Sequence, residues 1–187
     1  MGGRTVSFYN KVVISMLCAA LSLAVLANGS EARTNPMNYT ASGSFGSSAF
    51  TFPDGNPATS ITLTGKATGG PVTIQEWGAG VFNGKTCTPP GGTTGSGSEV
   101  VFKDSLEIIT FTNTGDELIQ ELESGTECFS FGPFGGTLTV NNVGGTGKFA
   151  GATGTETLNF EGLYLNCGST GCVGLVQHSE VGSVTTP

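Results

Sequence analysis

The chain has 187 residues, a formal net charge of −7, 31 glycines and a charged fraction of only 11%. This length makes a single domain the default expectation. The sequence contains no cluster of Lys and Arg, which phosphate neutralisation requires, so a nucleic-acid partner and an anionic membrane surface are both disfavoured.

The first 32 residues have the features of a secretory signal peptide. Arg4 and Lys11 form a short basic region, followed by an apolar stretch at 12–27 that is short for a membrane span. Small residues allow cleavage after residue 27 or residue 32, and an uncleaved N-terminal anchor is the alternative. We therefore expect residues 33–187 to form one domain that is secreted, periplasmic or at the cell surface, without membrane association after cleavage.

Strands and turns dominate the pattern after the signal. Apolar and polar residues alternate at 61–64 and at 137–140, and residues 106–112 resemble a strand buried on both faces. Glycine-rich turns separate such pieces about every ten residues. This spacing predicts an all-β antiparallel sandwich or barrel. The long segment at 88–98, TPPGGTTGSGS, is expected to be an exposed loop suited to ligand contact.

Three residues that are candidates for a functional role lie on predicted strands. Trp77, the only tryptophan, is a candidate to line an internal cavity, with packing in the core as the alternative. Glu76 beside it is a candidate cavity acid, although strand alternation places neighbours on opposite faces. His178, the only histidine, would be needed for a Ser-His-Asp triad, but no G-x-S-x-G motif accompanies it. We therefore interpret His178 as a strand-surface residue.

Four cysteines remain after the signal, namely Cys87, Cys128, Cys167 and Cys172. An even number on an exported chain predicts two disulfides, for which three pairings exist. We favour Cys87–Cys128 with Cys167–Cys172, because the latter closes the small loop CGSTGC. A zinc site is the alternative, but the chain has no C-x2-C pair and a single histidine. No metal or cofactor is therefore expected.

Residues 116–124, DELIQELES, allow either a two-turn helix or a strand. The preceding NTGD at 113–116 is a suitable hairpin turn between 106–112 and 117–123, which favours the strand. The acidic side chains would then form a solvated face, and a calcium site, the alternative, would need oxygens from other segments. These acidic residues are Glu117, Glu121 and Glu123.

The segment 141–160, NNVGGTGKFAGATGTETLNF, contains a glycine pattern that invites comparison with phosphate-binding loops. A P-loop requires Ser or Thr after its lysine, whereas Phe149 follows Lys148 here. A dinucleotide fingerprint requires a helix next, whereas the following residues have a strand pattern. We interpret the segment as a strand, a tight corner and a strand, with Phe149 as an apolar anchor and glycines that permit unusual backbone angles. Those glycines are Gly144, Gly145, Gly147 and Gly154.

The same element, GGTGKFAGATG at 144–154, resembles the glycine signature of dirigent proteins and of the wider allene oxide cyclase-like barrel group. NTGDEL at 113–118 resembles the hairpin turn of related exported bacterial barrels, so the resemblance covers residues 106–162. It implies an eight-stranded antiparallel barrel with a central cavity and an architectural role for the glycines. The cavity acids and arginines of dirigent proteins have no matching positions in this chain.

Together these observations predict an exported, disulfide-stabilised β-barrel. It would bind a small hydrophobic molecule without catalysis or act as an extracellular structural module, with Trp77, Glu76 and Phe149 as candidates to line the cavity. One alternative is a dirigent- or cyclase-like protein that steers a reactive intermediate by cavity shape, which an inward-pointing Glu76 or Asp104 in an open cavity would favour. Another is an adhesion or assembly module, including a homo-oligomer, formed through glycine- and threonine-rich strand edges.

Overall fold

The computed structural model describes residues 31–168 and 171–187, so the predicted signal peptide lies, except for its last two residues, outside the described residues. Residues Ala32–Pro187 form one compact unit. Eight strands make up most of it. They are β1 (Arg33–Thr51), β2 (Pro57–Ala67), β3 (Gly70–Cys87), β4 (Gly97–Phe111), β5 (Glu117–Phe129), β6 (Pro133–Gly145), β7 (Gly154–Gly168) and β8 (Gly171–Thr186).

The strands form a closed antiparallel barrel in which each strand pairs with the next along the chain. β8 returns to β1, with pairs from Arg33↔Thr186 to Phe45↔Gly174. The predicted all-β barrel of about eight strands is confirmed, and the sandwich alternative is excluded. Closure pairs every described strand on both sides, so no strand edge is left for edge-to-edge assembly in this part of the chain.

Strict alternation of side chains separates an apolar interior from a polar exterior. On β1, Met37, Tyr39 and Ala41 are buried, whereas Asn38 and Thr40 between them are exposed. This is the period of two that a strand imposes, and it explains why threonine, serine and asparagine alternate with larger apolar residues in the sequence. One continuous apolar core fills much of the interior.

The segment with helical composition is a strand, β5, as the hairpin turn favoured. Leu118 and Gln120 are fully buried inside the barrel, because β5 pairs with β4 and β6 along its length. The acidic side chains alternate with them: Glu121 and Glu123 are exposed and Glu117 is half-buried. The helix alternative is wrong because paired neighbours on both sides outweigh local helix propensity.

One end of the barrel is plugged by the segment after β6. Residues Gly147–Phe149 form a short 3-10 turn, and Phe149 is buried with its ring centroid 5.0 Å from that of Phe111. The Lys148 ammonium covers the pair, 4.3 Å from the Phe111 centroid and 4.8 Å from the Phe149 centroid. Phe149 is therefore an anchor at the end of the barrel.

The glycines of this corner occupy positions that other residues would strain. Gly147 has a φ of 54°, and a Cβ there would stand 1.7 Å from Asp116 Oδ1. Gly154 has a φ of 138°, and a Cβ there would stand 2.2 Å from the Ser183 carbonyl oxygen. Glycine alone combines such backbone angles with so close an approach. Positive φ angles also occur at Gly144 and Gly145.

Two disulfides cross-link strands in the part of the barrel opposite the Phe149 end, and their pairing is the predicted one. Cys87–Cys128 joins β3 to β5 and crosses β4 at Gly97, where a Cβ would stand 2.5 Å from Cys128 Sγ. Cys167–Cys172 closes the hairpin between β7 and β8. The cysteines are thereby used in disulfides rather than in a zinc site.

The long loop after β3 is anchored as well as exposed. Residues 91–96 are exposed as predicted, but Pro89 is buried and Pro90 packs against Gly135 of β6. The described residues include no helix long and apolar enough to cross a membrane.

Candidate functional site

A layer of acidic and amide side chains lies inside the barrel, next to the apolar core. Strand alternation directs all of these residues inward, and each is buried. An ionised group in such a place is costly unless a partner or a proton neutralises it. The layer consists of Glu76, Glu107, Gln120, Asn142, Glu156, His178 and Glu180.

Three of these side chains converge from three strands. Glu76 of β3 accepts a hydrogen bond from Ser105 Oγ at 3.3 Å through Oε1, and Glu107 of β4 accepts one from Tyr39 at 2.7 Å. His178 of β8 places Nδ1 3.6 Å from Glu76 Oε2. One nitrogen or oxygen atom from each of Glu76, Glu107 and His178 lies within 4.8 Å of the others.

The remaining members form a second, hydrogen-bonded group. Gln120 Nε2 donates to Glu180 Oε1 at 2.8 Å and to Asn142 Oδ1 at 3.1 Å. Asn142 Nδ2 in turn donates to Glu156 Oε1 at 2.7 Å. Glu156 also lies close enough to Glu180 for the two carboxyl groups to interact.

Burial shifts the ionisation of the layer towards neutral forms. Desolvation raises the pKa of Glu76 to about 7. Desolvation, and next the charge of Glu76, hold the pKa of Glu107 well above its usual range. Burial likewise raises the pKa of Glu180, with the neighbouring Glu107 as the next cause, and lowers the pKa of His178 to about 4. The imidazole is therefore neutral at physiological pH.

A cavity of about 210 Å³ lies between this layer and the part of the barrel that carries the disulfides. Glu76 and His178 reach its wall, and Glu127 of β5 accepts a hydrogen bond there from the Tyr164 hydroxyl at 3.0 Å. Burial raises the pKa of Glu127 to about 7. Half of the other lining residues are aromatic. Their rings belong to Phe45, Phe82, Phe102, Phe129, Phe134, Phe160 and Tyr164.

The rings of the aromatic wall pack in edge-to-face and tilted pairs, and the cavity opens to solvent. The Tyr164 ring centroid lies 4.5 Å from that of Phe134 and 5.1 Å from that of Phe45, distances typical of favourable ring pairs. Phe82 lines the cavity and is nevertheless 62% exposed, so the cavity reaches the surface beside it. Its ring also meets Phe129 at 5.5 Å between centroids.

The residues that the sequence predicted to line the cavity lie in different parts of the structure. Glu76 lines the cavity, but Trp77, its neighbour, faces the other side of β3 and packs in an outer cluster with Phe52, Ala58 and Ala79. Trp77 does not line the cavity because alternation along a strand sends consecutive side chains to opposite faces. Phe149 lies at the plugged end and does not line it either.

Asp104 and His178 occupy places that the sequence did not indicate. Asp104 stays outside the cavity, in a separate surface depression beside Phe50 and Phe52. His178 is 3% exposed, so its interpretation as a strand-surface residue is wrong. One local signal was available: His178 and Glu180 have the same strand parity as Val176, which predicts a common face.

Comparison with known proteins identified no relative among protein-family models or curated proteins. The geometry of the barrel interior is therefore the basis for the function proposed below.

Proposed function

We propose that this protein is an exported β-barrel that binds a small, largely apolar molecule in the aromatic cavity without transforming it. The observation that carries the proposal is an aromatic-walled cavity that opens beside Phe82 and holds few polar groups. Ligand pockets are typically apolar, with a small number of placed polar atoms. The two disulfides fit an extracellular protein.

The volume of the cavity limits the size of the ligand. An apolar cavity of about 150 Å³ is enough to hold benzene. At about 210 Å³ this cavity suits one substituted ring or a short branched chain. Fused multi-ring lipids exceed that volume.

One pair of polar groups on the wall favours a ligand with one hydrogen-bonding group. Glu127 and Tyr164 place a carboxyl and a hydroxyl among the rings, already joined at 3.0 Å. A ligand hydroxyl that joins this pair avoids the cost of about 1–3 kcal/mol for a buried polar group left unpaired. Phenols and small alcohols combine this group with the required apolar body.

The test uses phenol and cyclohexanol as probes, followed by calorimetry and by native mass spectrometry of the purified protein. Val176→Phe fills the cavity from β8, and Val181→Phe adds the same ring on the exposed outer face of the same strand. We expect binding by the unmodified protein and by Val181→Phe, and at least a tenfold loss in Val176→Phe. If neither probe binds the unmodified protein, the carrier function is wrong and the structural-module interpretation replaces it.

A second proposal, a dirigent- or cyclase-like protein, follows from the position of Glu76, because an inward-pointing Glu76 or Asp104 in an open cavity would favour this alternative. The Glu76 carboxyl lies on the wall of an open cavity, where it can exchange a proton with a bound intermediate. The resemblance at 144–154 supports this alternative through the barrel architecture alone.

A steering function has its own measurement. A phenol oxidised by an external one-electron oxidant in the presence of the protein should give coupling products with an enantiomeric excess, since a cavity orients the radical. Val176→Phe should restore the racemic mixture. A racemic product with the unmodified protein would eliminate the steering proposal while leaving simple binding intact.

Assembly into a homo-oligomer or an adhesive surface stays a prediction. The closed barrel offers no strand edge for it among the described strands. Light scattering of the purified protein distinguishes a monomeric carrier from an assembling module.

A further inference from the structure

The carboxylates of Glu76 and Glu107 are held in similar ways, each with one oxygen engaged and one left over. Ser105 donates to Glu76 Oε1 and Tyr39 donates to Glu107 Oε1. The Oε2 atom of each is fully buried and has no hydrogen-bond partner. Hydroxyl donors behind a carboxylate commonly orient it as a metal ligand.

His178 supplies an independent observation at the same point. Neither Nδ1 nor Nε2 of its buried ring has a hydrogen-bond partner. Buried polar side chains nearly always have at least one partner, so an imidazole with none needs an explanation. Its Nδ1 lies 3.6 Å from the unpartnered Glu76 Oε2.

The separations between these atoms match those around a bound cation. Two ligand atoms that each lie about 2.1 Å from a tetrahedral metal are roughly 3.4 Å apart. The Glu76–His178 separation of 3.6 Å is close to this value, and all three residues offer atoms within 4.8 Å of one another. Bringing the widest of these separations, at most 4.8 Å, to the tetrahedral value needs a shift of at most about 1.4 Å, which side-chain rotation can supply.

Charge points to the same conclusion. None of the described lysines and arginines is buried, so no basic side chain neutralises the inner carboxylates. Two carboxylates and a neutral imidazole together compensate a doubly charged cation.

We infer that Glu76, Glu107 and His178 form a binding site for one divalent first-row transition-metal ion inside the barrel. Nitrogen and oxygen ligands without sulfur suit Zn²⁺, Mn²⁺, Fe²⁺ or Co²⁺. Glu76 and His178 also line the cavity, so a remaining coordination position would face it. The inference concerns the chain's own side chains and does not depend on the proposed apolar ligand.

The experiment titrates the chelator-treated protein, with both disulfides intact, with ZnCl₂ or MnCl₂ by calorimetry. We expect one ion per chain and a loss of affinity of about tenfold or more in Glu76→Gln and in Glu107→Gln, which keep the side-chain shape. Glu123→Gln is the control, since it makes the same exchange at an exposed glutamate of β5 that lies outside this group of three residues. This control should bind metal as the unmodified protein does.

The outcomes separate a built site from casual binding to surface acids. Absence of saturable one-to-one binding, or unchanged affinity in Glu107→Gln, overturns the inference. If the glutamine variants do not fold, the visible spectrum of Co²⁺ added to the unmodified protein decides. An intense low-symmetry band supports the site, and the spectrum of the hydrated ion refutes it. Neither result bears on phenol binding, which is measured separately with Val176→Phe.

Discussion

Replacing Glu127 by glutamine should stabilise this protein at alkaline pH and leave its stability unchanged in acid. Glu127 is 8% exposed, and burial raises its pKa from 4.5 to about 7. A difference of this size corresponds to about 3 kcal/mol against the ionised form in the folded state. The Tyr164 hydroxyl can donate to the glutamine oxygen as it does to the carboxyl, so the hydrogen bond survives the change.

The direction of this pH dependence follows from the pH at which Glu127 loses its proton in the folded and in the unfolded state. In the unfolded chain Glu127 ionises near pH 4.5, whereas in the barrel it keeps its proton until about pH 7. The free energy of unfolding therefore falls as the pH rises between these values, and the loss is complete above the folded pKa. Glu127→Gln removes this loss, so its advantage should grow from nothing near pH 4.5 to as much as about 3 kcal/mol above pH 7.

Urea unfolding at about pH 4.5 and about pH 8.5 measures this difference, with fluorescence of the single tryptophan, Trp77, as the signal. Glu123→Gln, on the exposed face of the same strand, is the matched control and should change little at either pH. A Glu127→Gln variant that is no more stable than the unmodified protein at about pH 8.5 would contradict this prediction. So would a variant whose free energy of unfolding is lower than that of the unmodified protein by the same amount at both pH values.

Two further predictions concern the frame of the barrel. Gly147→Ala should lower the free energy of unfolding by about 1–3 kcal/mol, because residue 147 has a positive φ and a Cβ there would collide with Asp116. Gly132→Ala is the control and should be nearly neutral, since there is open space around Gly132. Urea unfolding of both variants tests this prediction, and equal effects would contradict it. Reduction of the Cys87–Cys128 and Cys167–Cys172 bridges should raise the intact mass by about 4 Da, one hydrogen per sulfur. It should also lower the melting temperature, since the cross-links restrict the unfolded chain. An unchanged mass in the mass spectrometer would show that the thiols are already free.

The features that local sequence determines were predictable. Alternation with period two gave the antiparallel strands, and the turn at 113–116 gave β5 in place of a helix. The corner at 144–154 was recognisable because its geometry depends on glycines that are neighbours in the chain. The Cys167–Cys172 bridge was predictable for the same reason, since it closes a short hairpin.

The interior site was not predictable, because it depends on how distant strands are aligned. Glu76 and Glu107 are direct partners in the pairing of β3 with β4, but His178 of β8 reaches them only after β8 pairs with β1 to close the barrel. The cysteine spacings and the acidic row at 117–123, on which zinc and calcium sites were considered, carry no information about three residues so far apart. Glu127 was hidden in the same way, since its partner Tyr164 lies 37 residues further along the chain.

The central claim, that the aromatic cavity binds a small apolar molecule, is tested most directly by a crystal structure of the protein soaked with a bromophenol. Anomalous scattering locates the bromine atom without reference to any model of the protein. We expect one peak inside the barrel, against the aromatic wall that includes Phe134 and Tyr164, with the phenol hydroxyl at the Glu127 carboxyl. A peak only on the outer surface, or none at a saturating concentration, would contradict the account.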